Sequence, residues 1–140
     1  MSGNNYIFIY GSLKKGYHND FWMEGSPMLQ EAVTSEAAYK MHATTGMFPL
    51  VVPGKYQIAG ELYAISNRVL ARLDELEGNG MSYTRRQIKL SGVDALAWMY
   101  IFNYPDTIPP SDGLGFLVRT EESIQTWLKP EDHFEFEVRP

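Results

Sequence analysis

The stretch Ser66–Gly78, SNRVLARLDELEG, constrains the fold more than any other part of the chain. Ser66 is a good helix N-cap, Val69, Leu70, Leu73 and Leu76 follow at helical spacing, and Gly78 supplies a C-terminal stop. Most other apolar segments are short and bounded by glycine, proline or polar turn residues, which is the texture of strands. Tyr6–Tyr10 is an almost unbroken apolar run, as in a strand covered on both faces. Further strands are expected over Glu31–Met41, over four or five residues of GMFPLVVPG (46–54), and over Tyr56–Ile65. Pro49 and Pro53 mark the second of these as an edge or a bulge. YTRRQIKL (83–90) and DALAWMYIFNY (94–104) predict a hairpin turning at Ser91-Gly92, and Phe21, Trp22 and Met23 anchor a short helix or turn. After Tyr104, PDTIPPSDGLG is loop, TEESIQTWL (120–128) a short capped helix, and HFEFEV (133–138) a terminal strand. Strands outnumber helices and mostly follow one another. The expected class is therefore α+β around a mixed or antiparallel sheet, of the kind that closes as a small barrel.

Composition narrows the function. At 140 residues, 44% hydrophobic and 21% charged, the chain is long enough for one real core and too short for two, so residues 1–140 are taken as a single domain. The net charge of −5 lacks the basic footprint of nucleic-acid binding, since Lys14-Lys15 and Arg85-Arg86 are short and flanked by neutral residues. With no cysteine, disulfides and thiolate metal sites are excluded. The N-terminus lacks a signal peptide's basic start and long apolar core, and nowhere is there an apolar run of membrane-spanning length. A soluble, cytoplasmic protein without membrane or nucleic-acid partners is the expectation.

LDELEG (73–78) carries three carboxylates, and position on the helix separates them. With Val69 at zero and about 100° per residue, Glu77 falls near 80°, between Leu73 and Leu70, whereas Glu75 falls near 240° and Asp74 near 140°. Glu75 points to solvent, and Asp74, at the border, caps or pairs locally with Arg85 or Arg86. Glu77 lies on the apolar face. Either the last turn frays and lets it reach water, or it is held against leucines, where burial raises a carboxyl pKa toward the range useful for proton transfer. A second half-site is suggested by IYGSL (9–13), where Gly11 and Ser12 directly follow a buried strand. Such a strand end is either an ordinary turn or a nest of backbone N–H groups aimed at an anion. Lys14-Lys15-Gly16 lacks the spacing and the Lys-Ser/Thr pair of a phosphate loop.

FIYGSLKKGYHN (8–19), FPLVV (48–52), GELY (60–63), LDELEG (73–78) and YTR (83–85) occur in the order found in the γ-glutamylcyclotransferase-like superfamily, which the chain resembles. That superfamily includes γ-glutamylamine cyclotransferases and the AIG2-like proteins. The match covers roughly the first hundred residues; the tail, 105–140, is diverged, and Asp20 stands where relatives often carry histidine. The resemblance implies a small mixed β-barrel with flanking helices, Glu77 as the catalytic residue, and Tyr10, Gly11, Ser12 and Leu13 as the substrate-binding turn. It further implies cofactor-independent intramolecular aminolysis of a small γ-glutamyl amide, giving 5-oxoproline and a free amine or amino acid. No metal is implied, and His18, His42 and His133 are too scattered for a ligand set. In this scheme Tyr83 or a backbone N–H faces the developing oxyanion, although Tyr83 has an alternative role packing over the Gly78–Gly80 turn. The competing expectation is a non-catalytic γ-glutamyl-binding or regulatory module on the same fold.

Overall fold

The apolar run near the N-terminus is explained by where it lies. In the computed structural model, which describes residues 5–17, 20–44, 48–108 and 117–129, Asn5–Ile9 forms strand β1 in the interior of a mixed seven-stranded sheet. Phe8 and Tyr10 face one hydrophobic cluster, with Met41, Val51, Ile58, Leu62, Met99 and Trp127. Ile7 and Ile9 face another, with Ile65, Val69, Leu70, Leu73 and Tyr100. Both sides of β1 are therefore covered, so no polar residue is needed on either.

The same alternation runs through β5 (Gln57–Ile65), with Ile58 and Leu62 in the first cluster and Tyr63 and Ile65 in the second. β5 also organises the sheet. It pairs antiparallel with β1 and with β2 (Met28–Val33), and parallel with β9 (Ile124–Trp127). β7 (Ala97–Phe102) joins β1 in parallel and forms an antiparallel pair with β6 (Tyr83–Ile88), as the expected hairpin requires. β3 (Tyr39–Ala43) and β4 (Pro49–Pro53) form a separate two-stranded ribbon. Its two proline residues end a strand that pairs with β3 alone among the described residues.

The helix α1, Asn67–Glu77, has the expected bounds, and its Val69, Leu70 and Leu73 are buried against the second cluster. Near it, Asp20–Met23 forms one 3₁₀ turn that buries Met23, and a second such turn spans Pro105–Thr107.

Two expectations need correction, and a third, barrel closure, is not shown among the described residues. The strand over Glu31–Met41 divides in two, because Thr34 is buried and bonded away from a regular ladder. Its hydroxyl donates to the Glu36 carbonyl (3.1 Å) and accepts from the Ile58 N–H (3.0 Å), and a new strand begins at Tyr39. Thr120–Leu128 is no helix. Val118–Glu121 (β8) and Ile124–Trp127 form an antiparallel hairpin turning at Glu122, whose φ is +55°. Val118, Thr120, Ile124, Thr126 and Trp127 are β-branched or aromatic, and the existing edge of β5 offers them partners, which outweighs a favourable cap. Finally, the pairings among the described residues run as an open path, β6-β7-β1-β5-β9-β8 with β2 attached to β5. The fold is α+β with a mixed sheet; no closed barrel is formed and one α-helix flanks it among those residues. The expected strand over 133–138 lies outside the described residues.

Candidate active site

Two local devices bring the ends of β1 and α1 to one place. At the helix, the Ser66 hydroxyl accepts the Val69 N–H (3.2 Å), and Gly78 adopts the left-handed conformation (φ 63°, ψ 51°) that ends it. The Gly78 carbonyl then accepts from Met81 (2.8 Å) and Ser82 (3.0 Å). This turn reverses the chain so that Tyr83 opens β6 beside the helix end, its backbone carbonyl receiving the Gly80 N–H at 2.7 Å and its ring edge-on to Phe102 at 5.4 Å between centroids. Glu77 is thereby fixed as the last helical residue.

At β1, the chain bends at Gly11, where a Cβ would stand 2.7 and 2.8 Å from the Pro49 ring, so only glycine lets β4 approach this closely. The Gly11 carbonyl accepts from the Lys14 N–H (3.0 Å). The Lys15 N–H is shared by the Glu61 carboxylate (2.9 Å) and the Tyr63 hydroxyl (3.0 Å), which itself donates to Glu61 (2.7 Å). GELY is thus a brace for the turn. Asp20 adds to it by accepting the Gly16 N–H at 2.9 Å. Lys14 is 95% buried, and its ammonium donates to the Trp127 carbonyl (3.0 Å) over the Tyr17 ring (4.4 Å). The Tyr17 hydroxyl donates to the same carbonyl (3.2 Å), so the loop after the turn is tied to β9. Burial pushes the Lys14 pKa down.

Between these ends lies a cleft of about 260 Å³. Tyr10–Leu13 form one wall, Phe48 and Pro49 another, Leu76 and Glu77 a third, and Tyr83 and Tyr100 stand beside them. All six residues singled out in the sequence as site candidates (Tyr10, Gly11, Ser12, Leu13, Glu77 and Tyr83) border this one space. Among the described residues no hydrogen bond or ion pair engages the Glu77 carboxylate, and burial pushes its pKa up to about 7. Burial likewise raises the phenols of Tyr10 and Tyr83, reinforced by the charge of Glu77. Tyr100 is raised by burial, by its hydrogen bond to Asp74, and by the charges of Asp74 and Glu77.

Asp74 behaves differently. Its Oδ1 receives Arg85 Nε at 2.8 Å and the Tyr100 hydroxyl at 2.7 Å, and Arg85 stacks 4.1 Å above Trp98. Glu75 is exposed. Sequence reasoning missed Phe48, Pro49, Leu76 and, bonded to Asp74, Tyr100. The signal for Tyr100 was its place in AWMYIF, where Trp98, Tyr100 and Phe102 share the helix-facing side; all three are aromatic, so a cleft wall and a core strand look alike there.

A family model described as γ-glutamyl cyclotransferase, AIG2-like, matches residues 7–121. The chain belongs to this family. A γ-glutamylcyclotransferase family protein from Citrobacter rodentium is 36% identical over 99 residues, 71% of this chain and 82% of that one. The corresponding Escherichia coli family protein is 35% identical over 99 residues, 71% and 83% of the two chains. The crystal structure of an AIG2-like protein from mouse superposes with a TM-score of 0.65 at 23% identity, covering 85% of this chain and 86% of that one. That likeness is one of fold. Among the described residues no helix is long and apolar enough to cross a membrane. Within this family member the blocks that carry the resemblance have separate physical tasks: GELY braces the turn, LDELEG ends the helix at Glu77, and Tyr83 and Arg85 return along β6 to the cleft and to Asp74.

Proposed function

We propose that this protein cyclises a γ-glutamyl amide, releasing 5-oxoproline and a free amine, with Glu77 carrying the proton. The observation that supports this most is a partly buried carboxyl of raised pKa, unpartnered among the described residues, in the same cleft as the Tyr10–Leu13 turn. The α-amine of the substrate is a nucleophile already attached to its electrophile. At neutral pH it is mostly ammonium, so the first task is to take a proton from it, and a carboxylate titrating near 7 is matched to that work. The freed amine attacks the γ-carbonyl carbon, forming the ring C–N bond and placing negative charge on the carbonyl oxygen. The protonated Glu77 delivers its proton to the departing nitrogen as the carbonyl re-forms and the old C–N bond breaks; the regenerated carboxylate then takes the second proton from the new ring nitrogen and passes it to the released amine, which leaves as an ammonium.

In this reading backbone N–H groups of the 10–13 turn hold the substrate α-carboxylate, fixing the amine near Glu77. Holding the coiled conformer supplies much of the rate, since well-oriented intramolecular attack reaches effective molarities of ~10⁵ M or more. Tyr83, or a backbone N–H, meets the developing oxyanion. The domain assignment belongs to the same proposal, with residues 1–140 as one cyclotransferase domain.

The experiment is a set of γ-glutamyl amides assayed for 5-oxoproline, with Glu77→Gln as the control. Turnover lost on that substitution, with the fold retained by circular dichroism, is the expected result. Undiminished turnover would overturn the role of Glu77. Binding of γ-glutamyl compounds without product would replace the enzyme by a non-catalytic binding module.

A further inference from the structure

Resting on the cyclotransferase reading, we infer that the amine released at this site is a short apolar one bearing no second charge. Once the α-carboxylate is assigned to the turn and the α-amine to Glu77, the charges of the glutamyl half are matched. What remains for the leaving group is a wall built from Phe48, Pro49 and Leu76 beside Tyr83 and Tyr100. Among the described residues that line the cleft none is cationic, and Glu77 is the one carboxylate.

The nearby cations are committed elsewhere. Lys14 points its ammonium at the Trp127 carbonyl, and Arg85 holds Asp74 while lying on Trp98. A leaving amino acid would bring a carboxylate to a surface that offers it no cationic partner among the described residues. A diamine would bring an ammonium whose one available anion is already engaged in proton transfer. A charge taken from water into such surroundings without a partner is strongly disfavoured.

An apolar chain meets the opposite situation. Phe48 and Leu76 remain 40% and 39% exposed while lining the cleft, so each has apolar surface for a ligand to cover. The volume sets the length. A cleft of about 260 Å³ lies just below the ~300–1,000 Å³ of pockets that take drug-sized ligands, which suits a glutamyl group and a few carbons.

Three γ-glutamyl amides of matched length test this: the n-pentylamide, the 4-aminobutylamide and the 3-carboxypropylamide. Their free ends are a methyl, an ammonium and a carboxylate. The expected result is a kcat/KM for the pentylamide at least tenfold above both others, persisting at 0.5 M salt. Comparable values for all three, or preference for a charged end, would overturn the inference and leave the cyclotransferase reading intact. No 5-oxoproline from any of them would overturn both. Phe48→Ala provides the second arm. It is expected to narrow the preference at least threefold through a higher KM for the pentylamide, whereas an equal loss for all three amides would count against the assignment of this wall.

Discussion

Asp74 and Glu77 lie one turn apart on the same helix, and the structure treats them in opposite ways. Asp74 is matched on both sides, by the Arg85 guanidinium and the Tyr100 hydroxyl, behind the wall of the cleft. Glu77 has neither kind of partner among the described residues, and three phenols close to it are made harder to ionise by its charge. A carboxylate held in place by a cation stabilises a fold and has little left to offer a substrate. One that is desolvated without a partner costs stability and is ready to exchange a proton. The three-residue spacing allows both, since it carries the side chain from the β6–β7 side of the helix to the mouth of the cleft.

The sharpest way to break this contrast is to remove the proton carrier. Glu77→Gln is expected to lower kcat/KM for 5-oxoproline formation by about 10²–10⁴-fold, the usual contribution of a positioned general acid–base. In the wild-type protein the same quantity should fall about tenfold per pH unit below about 7, because the protonated carboxyl cannot accept the substrate's proton. A profile half-maximal near pH 4.5 would show a carboxyl in ordinary solvent and end the comparison.

Asp74→Ala tests the other member. Arg85 and Tyr100 lose their shared acceptor in a partly buried position, so a stability loss of about 2–3 kcal/mol in urea unfolding is expected. A change within the error of the extrapolation would show that the pairing is cosmetic. Glu77→Gln should do the reverse. The folded-state pKa of Glu77 is raised from 4.5 to about 7, so the native state binds the extra proton and wild-type stability falls as pH rises through that window. The variant is therefore expected to be more stable than wild type by about 1–2 kcal/mol at pH 8, with the difference gone by pH 4. A variant less stable at pH 8 would mean that the carboxylate has a partner after all. Smallest of all, Glu75→Gln should change stability by less than about 0.5 kcal/mol, as befits an exposed side chain.

How far the sequence carried these conclusions depends on whether a feature is decided locally. The bounds of α1 were legible because cap, period and stop all lie within Ser66–Gly78, and the wheel placed Glu77 on the apolar face for the same reason. The β8–β9 hairpin was not legible. Thr120 to Leu128 has tolerable helix residues and a good cap, and what settles it is the edge of β5, where Gln57 pairs with Ile124 across a long stretch of chain. The division at Thr34 is likewise decided by a long-range bond, from Ile58. Barrel closure was expected both from the succession of strands and from the family resemblance, and strand pairing among the described residues is open. Of the site, the two ends were readable and the wall was not. Tyr100 reads as one more aromatic in a core strand until Asp74 is seen to claim its hydroxyl.

Lys14 and Tyr17 both rest on the carbonyl of Trp127, separated from them by 113 and 110 residues. During synthesis, which proceeds from the N-terminus, the Tyr10–Leu13 loop leaves the ribosome well ahead of the oxygen that secures its far side, 113 residues beyond Lys14. A nascent chain can pair β1 with β5 early and still hold an unfinished pocket. The far side of the turn closes only once the β8–β9 hairpin has docked on β5.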